Sequence, residues 1–382
     1  MNDAIVVGAG PAGSATALRL ARAGRDVRII ERARFPRRKV CGEYVNSGAV
    51  DALDRLGVLP AVRAVSTPLR GVRLVAPNVA AVSLPFPTPA LSCTREALDA
   101  VLLEAALGAG ATLERGRVDD LVVEGGVCVG VRVRAEDGTL LERRARVVVG
   151  ADGIGSVVAR KLGVTLPTRR GARYAVGGHY GGFGAFDEHI EMYVGGGAYF
   201  ALNPLDANSA NVMVVVPRAR LALWAQDIDA GIGGVAATLG GGVRSLEGTH
   251  RLGGRVSVGP LAHAVRVPIA PGAILVGDAS GFLDPFTGQG IFLALVGAEH
   301  AARAICDGAY GAYARWRVDD LAWRRRLCSA IALFVDISPL ARHAASRLAR
   351  FPEAGTTVLE ALAGIVPPQR AFSRGALGRL IA

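Results

Sequence analysis

Chemistry in this chain concentrates in a few short stretches rich in glycine, acids and one cysteine. Gly8-Ala9-Gly10-Pro11-Ala12-Gly13 directly follows the apolar run Ala4–Val7. In such a GxGxxG turn the first glycine permits the tight reversal and the second lets main chain approach a pyrophosphate. The third lets helix and strand pack closely. A helix opening there, Ala12 to about Ala23 and stopped by Gly24, offers free N–H groups and a positive dipole end to phosphate oxygens. Glu31, with Arg32 beside it, closes the second apolar run Val27–Ile30, where a carboxylate accepts hydrogen bonds from a ribose. This strand–turn–helix–strand–acid order is a dinucleotide-binding unit. By itself it does not separate a nicotinamide from a flavin dinucleotide.

Two later stretches repeat the idea of a strand that ends in an acid flanked by glycine. Arg146–Gly153 ends in Asp152 and Gly153, and Gly272–Ala279 carries Gly277 and Asp278. The latter continues through Pro285 to Gly288, Gln289, Gly290 and Ile291. With these three ordered motifs the sequence resembles flavoproteins of the para-hydroxybenzoate-hydroxylase type, in their geranylgeranyl-reductase-like branch, over most of residues 1–305. The resemblance implies FAD. It implies that Asp278 reaches the ribityl chain, and that Asp152 and Gly153 serve both FAD and a nicotinamide cofactor. It also implies that Gly288–Ile291 opens a helix, running to about Ala304, whose N–H groups face the flavin's pyrimidine edge. By the same resemblance Arg95, at the head of a helical stretch Glu96–Leu107, stands near the flavin tail, and Val118 lies over the adenine.

Lys39-Val40-Cys41-Gly42-Glu43 resembles the cysteine–glycine signature of the reductase branch, which implies that Cys41 and Gly42 lie near the flavin ring. Between about Arg173 and Arg255, short strand-like runs separated by glycines indicate an antiparallel meander: Arg173–Tyr180, His189–Val194, Ala198–Leu202 and Ala210–Val216. In the resembling family this sheet roofs the flavin and receives the substrate. Alternation puts His179, Glu191, Tyr193, Tyr199 and Met213 among its inner-face residues. His179 is the first catalytic candidate, with Cys41, because imidazole titrates in the useful range. Glu191, Tyr193, Tyr199 and Met213 are the substrate-side candidates.

Two departures from family patterns bear on the reaction. The reductases' tyrosine–tryptophan–phenylalanine–proline signature corresponds here to Tyr199-Phe200-Ala201-Leu202-Asn203-Pro204, and the hydroxylases' Asp-Ala-Ala-His to Asp278-Ala279-Ser280-Gly281. Flavin halogenases need Trp-x-Trp, which Trp224, Trp316 and Trp323 do not provide.

Composition narrows the partners. The net charge is +11, but all but two of the 44 basic residues are arginine, they are scattered, and no nucleic-acid motif accompanies them. No nucleic-acid partner is expected; a basic surface still favours anionic ligands or an acidic membrane face. Five cysteines form no CxxC pair and no metal-spaced set, so no metal is expected and a reducing, cytoplasmic setting fits. Cys93, Cys128 and Cys306 read as small hydrophobes. Neither a signal peptide nor an 18-residue apolar span is recognisable. In the helical tail, Trp323–Leu327 and Ala330–Val335 could meet a membrane surface or cover a greasy tunnel. A capping helix with a solvated basic face is preferred, since charge runs are usually exposed.

The expected protein is an α/β flavoprotein with a Rossmann-like FAD-binding domain in three pieces, 1–75, 93–165 and 256–305. An antiparallel sheet domain, 76–92 and 166–255, takes a hydrophobic small molecule, and 306–382 is a helical cap. NAD(P)H is the expected donor, binding without a domain of its own because no second GxGxxG unit occurs. Insertion of one oxygen atom into a hydrophobic or aromatic substrate is preferred, because the reductase sheet signature is degraded. Reduction of a carbon–carbon double bond and a non-catalytic redox sensor are the alternatives. The sequence sets no oligomeric state.

Overall fold

The computed structural model describes residues 1–382 except 77–78, 168–172, 196, 224–226, 239–243 and 382, so Trp224 lies outside the described residues. A parallel sheet forms the first layer, in the order Ala273–Leu275, Leu140–Gly150, Asn2–Val7, Val27–Glu31, Thr112–Arg115. These strands read as near-continuous apolar runs because both faces are covered. Ala4, Val6, Ile29, Val147, Val149 and Ile274 pack on one side against the helices Pro11–Arg22, Arg95–Gly108 and Gly290–Asp307. Ile5, Val7, Ile30, Val148 and Leu275 pack on the other, under the ribbon Arg117–Glu124 and Val127–Arg134. All the chemistry-bearing turns therefore leave the same carboxyl edge of the sheet, where α/β folds bind ligands.

The second sheet runs His250–Arg251, Arg173–Gly181, Ser209–Pro217, Ala198–Pro204, His189–Gly195, Thr67–Val75, Val82–Ser92, Tyr44–Val45. Two expectations change here. Thr67–Val75 belongs to this sheet and not to the first domain, because it forms a hairpin with Val82–Ser92 and pairs in parallel with His189–Gly195. The four central runs are also not a simple meander. Arg173–Gly181 lies beside Ser209–Pro217, and Thr67–Val75 takes the place next to His189–Gly195.

The C-terminal helices Tyr310–Asp336, Ser338–Arg350 and Pro352–Ala363 cover the inner face of this sheet, where Val335, Ala341, Ala345 and Leu348 join Tyr199, Met213 and Val215 in one apolar cluster. The basic run at 324–326 is divided. Arg325 and Arg326 are exposed, but Arg324 turns inward to Asp320 and Gln289. Of the apolar run, Leu333 is 56% exposed, beside Ile337 at 44%, at the corner between two helices. Among the described residues no single helix is long and apolar enough to cross a membrane. One pair, bent by 107° at that corner, passes by length and composition only when taken together.

Candidate active site

The opening turn is built for close approach. A β-carbon on Gly13 would sit 1.8 Å from the Gly8 carbonyl oxygen, so only glycine lets the helix pack this near the strand. Pro11 occupies the first turn of that helix, and no side chain caps its end, which leaves N–H groups open toward the cleft. Glu31 ties the turn down, accepting from the Ala9 N–H at 2.8 Å and the Ala33 N–H at 2.8 Å. Arg32 is exposed beyond it. The Arg37 and Arg95 guanidinium groups both lie 3.7 Å from where a β-carbon on Gly10 would stand. Asp99 holds the pair in place, taking Arg95 through two bonds at 2.8 and 2.7 Å and Arg37 at 3.1 Å. Two fixed cations over an open helix end suit a pyrophosphate.

The two later acids have different fates. Asp152 is committed internally: Ser156 Oγ donates to it at 2.6 Å and the Val157 N–H at 2.6 Å, so its carboxylate caps the short helix Val157–Lys161. Beside it Gly153 is left-handed, with φ 79°, and Lys39 Nζ reaches over its main chain, which leaves that main chain as the part of the pair free to face a ligand. Asp278, by contrast, stands half-buried in the cleft, its carboxylate without a hydrogen bond to any described residue. Desolvation raises its pKa, while Lys39, Arg95, Arg317 and His263 pull the other way. A desolvated acceptor without a donor is what a polyol hydroxyl would satisfy. Arg317, 1% exposed, supports this turn from beneath by donating to Ser280 Oγ at 2.8 Å and to the carbonyls of Gly277 and Gly281.

Gly288–Ile291 presents main chain. Gly288 is left-handed, with φ 61°, and the helix from Gly290 has no side-chain cap, so its first N–H groups stay open. Pro285 opens the short turn before it. The side chains look elsewhere: Gln289 bonds Thr287, Cys328 and Arg324, and Ile291 is in the core. Val118 likewise packs its side chain in the core with Ile30, at the start of a strand that approaches Glu31 through the Gly116 N–H.

The cysteine loop is clamped to the second sheet. His179, Asn211 and Asn203 lie directly opposite one another on three neighbouring strands. Asn211 Nδ2 donates to the Cys41 carbonyl at 2.7 Å, Asn203 Nδ2 to the Gly42 carbonyl at 2.8 Å, and His179 Nε2 pairs with Glu43 Oε2 at 2.8 Å. Desolvation raises the Cys41 thiol pKa, against the pull of Arg95, so the thiol stays protonated near neutrality. Tyr199 and Met213 share this inner face, and Tyr199 donates to Asp284 at 3.1 Å. Glu191 and Tyr193 do not. Tyr193 packs on the opposite face with Phe200 and Ile232, and Glu191 pairs with Arg244 at 2.8 Å on that side. In a strand buried on both faces, alternation does not reveal which parity looks inward.

Four residues of this site were not singled out by sequence reasoning. Asp99 carries a visible signal, its i,i+4 spacing from Arg95. Arg37 stands in the basic run after the second strand. Asn203 and Asn211 emerge only from strand register. Among the described residues no cluster of histidine, cysteine and acids could hold a metal.

A parallel sheet carrying a dinucleotide turn and a separate polyol-ready acid on one edge defines the class: an α/β flavoprotein, an FAD-dependent oxidoreductase. The chain belongs to the FAD binding domain family, which it matches over residues 1–231. It is 30% identical over 341 residues to a menaquinone reductase of Mycolicibacterium smegmatis, covering 81% of this chain and 78% of that one. It is 30% identical over 331 residues to digeranylgeranylglycerophospholipid reductase 2 of Methanopyrus kandleri, 79% of this chain and 77% of that one. The solved flavin-dependent brominase Bmp2 superposes with a TM-score of 0.85, over 95% of this chain and 93% of that one, at 21% identity, which shows the shared fold.

Proposed function

We propose that this flavoenzyme reduces a carbon–carbon double bond in a hydrophobic, isoprenoid-type substrate, with NAD(P)H replenishing the electrons. The observation that carries this reading is the clamped loop, whose Cys41 carbonyl is tied to the second sheet, whose thiol is kept neutral beside Arg95, and whose Glu43 pairs with His179. Saturating a double bond takes a hydride to one carbon and a proton to the next. Bound reduced flavin supplies the hydride; a protein group must supply the proton. A neutral thiol and an imidazole are suitable sources, whereas oxygen insertion has no use for the thiol. The names of the two reductases support the same chemistry. The exposed corner of Leu333 and Ile337 supports approach to a membrane surface where such substrates reside.

Oxygen insertion, the preference from sequence, moves to second place. The altered segment Tyr199–Pro204 still favours it, with Asn203 now serving the loop. Chemically reduced, FAD-loaded protein mixed without oxygen with menaquinone or a geranylgeranylated lipid separates the two. Oxidation of the flavin under nitrogen, with saturated product, supports reduction. Flavin that stays reduced until oxygen is admitted overturns it.

A further inference from the structure

We propose that Glu43 is a positioning residue that fixes the tautomer of His179, leaving Nδ1 of that imidazole as the proton-exchanging atom on the substrate side of the flavin cleft. Glu43 is 4% exposed and left-handed, with φ 55°, a conformation that residues other than glycine seldom adopt. Everything it carries is in use. Its N–H lies 3.3 Å from Cys41 Sγ, and its carbonyl accepts from the Cys93 N–H at 3.0 Å. Oε1 accepts from the Arg95 N–H at 2.9 Å, and Oε2 meets His179 Nε2 at 2.8 Å. The residue is thus held from the loop, from the helix behind it and from the second sheet.

A carboxylate only accepts, so Nε2 of His179 must carry the proton and the neutral ring presents a bare Nδ1. Nδ1 makes no hydrogen bond to a described residue, and the side chain is 14% exposed. When Nδ1 takes a proton, Glu43 stabilises the imidazolium through the Nε2–H bond. When that proton passes to the substrate carbon beside the one receiving hydride, the ring returns to its neutral tautomer and is recharged from water. The chemical step rests on the proposed double-bond reduction; the tautomer does not.

The test uses FAD-loaded protein labelled with 15N-histidine, examined by long-range 1H–15N spectra at rising pH until the His179 signals stop moving and the ring is neutral. The His179 signals are assigned by their loss in His179→Asn. The expected spectrum has Nε2 protonated and Nδ1 bare. In Glu43→Gln, whose amide can donate as well as accept, the other tautomer should appear and the substrate half-reaction should slow at least tenfold, with FAD content kept. A wild-type His179 protonated on Nδ1 overturns the proposal, even if the variant fails to fold. So does a Glu43→Gln protein with an unchanged spectrum, or one with a changed tautomer and an undiminished half-reaction. A wild-type protein that reduces no double bond but shows the expected tautomer would instead overturn the proposed function.

Discussion

Replacing Asp278 with Ala should move two quantities in opposite directions. In the flavin-free protein the carboxylate is half-buried, with a raised pKa and no hydrogen bond to a described residue, so removing it relieves a desolvation cost. The free protein should be at least as stable as wild type. With FAD bound, the same carboxylate would accept from ribityl hydroxyls if it holds the cofactor as the resemblance implies, and hydrogen bonds to a charged group are worth about 1.5–3 kcal/mol. Its loss should raise Kd for FAD roughly 10- to 150-fold. At FAD a hundred times the wild-type Kd, binding stabilises wild type by about 2.7 kcal/mol and a tenfold weaker variant by about 1.4 kcal/mol. Unfolding entropy near 2.1 cal/mol/K per residue makes about 0.8 kcal/mol/K for 382 residues. The FAD-induced rise in Tm should therefore shrink by about 1.6 °C or more. Fluorescence titration and thermal scans with and without FAD read both effects. An unchanged Kd would refute the assignment of Asp278 to the cofactor.

Gly13→Ala should destabilise the fold by about 1–3 kcal/mol or more and abolish FAD retention, because its β-carbon meets the Gly8 carbonyl at 1.8 Å; a yellow protein of normal Tm would contradict that geometry. Cys41 should react with iodoacetamide only as pH rises above the ordinary thiol range, since desolvation favours the neutral form. Arg95→Met, by removing the opposing cation, should push that midpoint higher still, and a midpoint below that of free cysteine would refute the reasoning.

What the sequence disclosed and what it withheld divide along physical lines. Gly8–Gly13 and Glu31 are legible because the turn and its acid close on nearby main chain, Gly13 against the Gly8 carbonyl and Glu31 on the Ala9 and Ala33 N–H groups. The roles of Asp152 and Asp278 look alike in sequence, a strand ending in a glycine-flanked acid. They part only because Ser156 and the start of a helix stand within reach of the first. Glu43 was legible as part of a motif, but its partner His179 is 136 residues away and meets it only because the loop before Tyr44–Val45 reaches across the second sheet to the strand Arg173–Gly181. Glu191 and Tyr193 were misplaced because both faces of their strand are buried, so alternation carries no sign. The strand Thr67–Val75 was assigned by nearness in sequence, although hairpin pairing draws it into the second sheet.

The most direct test of the account is the mass of the product. Purified protein with FAD, NAD(P)H and a menaquinone or geranylgeranylated lipid is allowed to turn over under 18O2. Double-bond reduction predicts a product that keeps two extra hydrogens in its isoprenoid chain after any quinol head is reoxidised, free of label, and formed equally well without oxygen. A product carrying one labelled oxygen atom, and none at all under nitrogen, would contradict it.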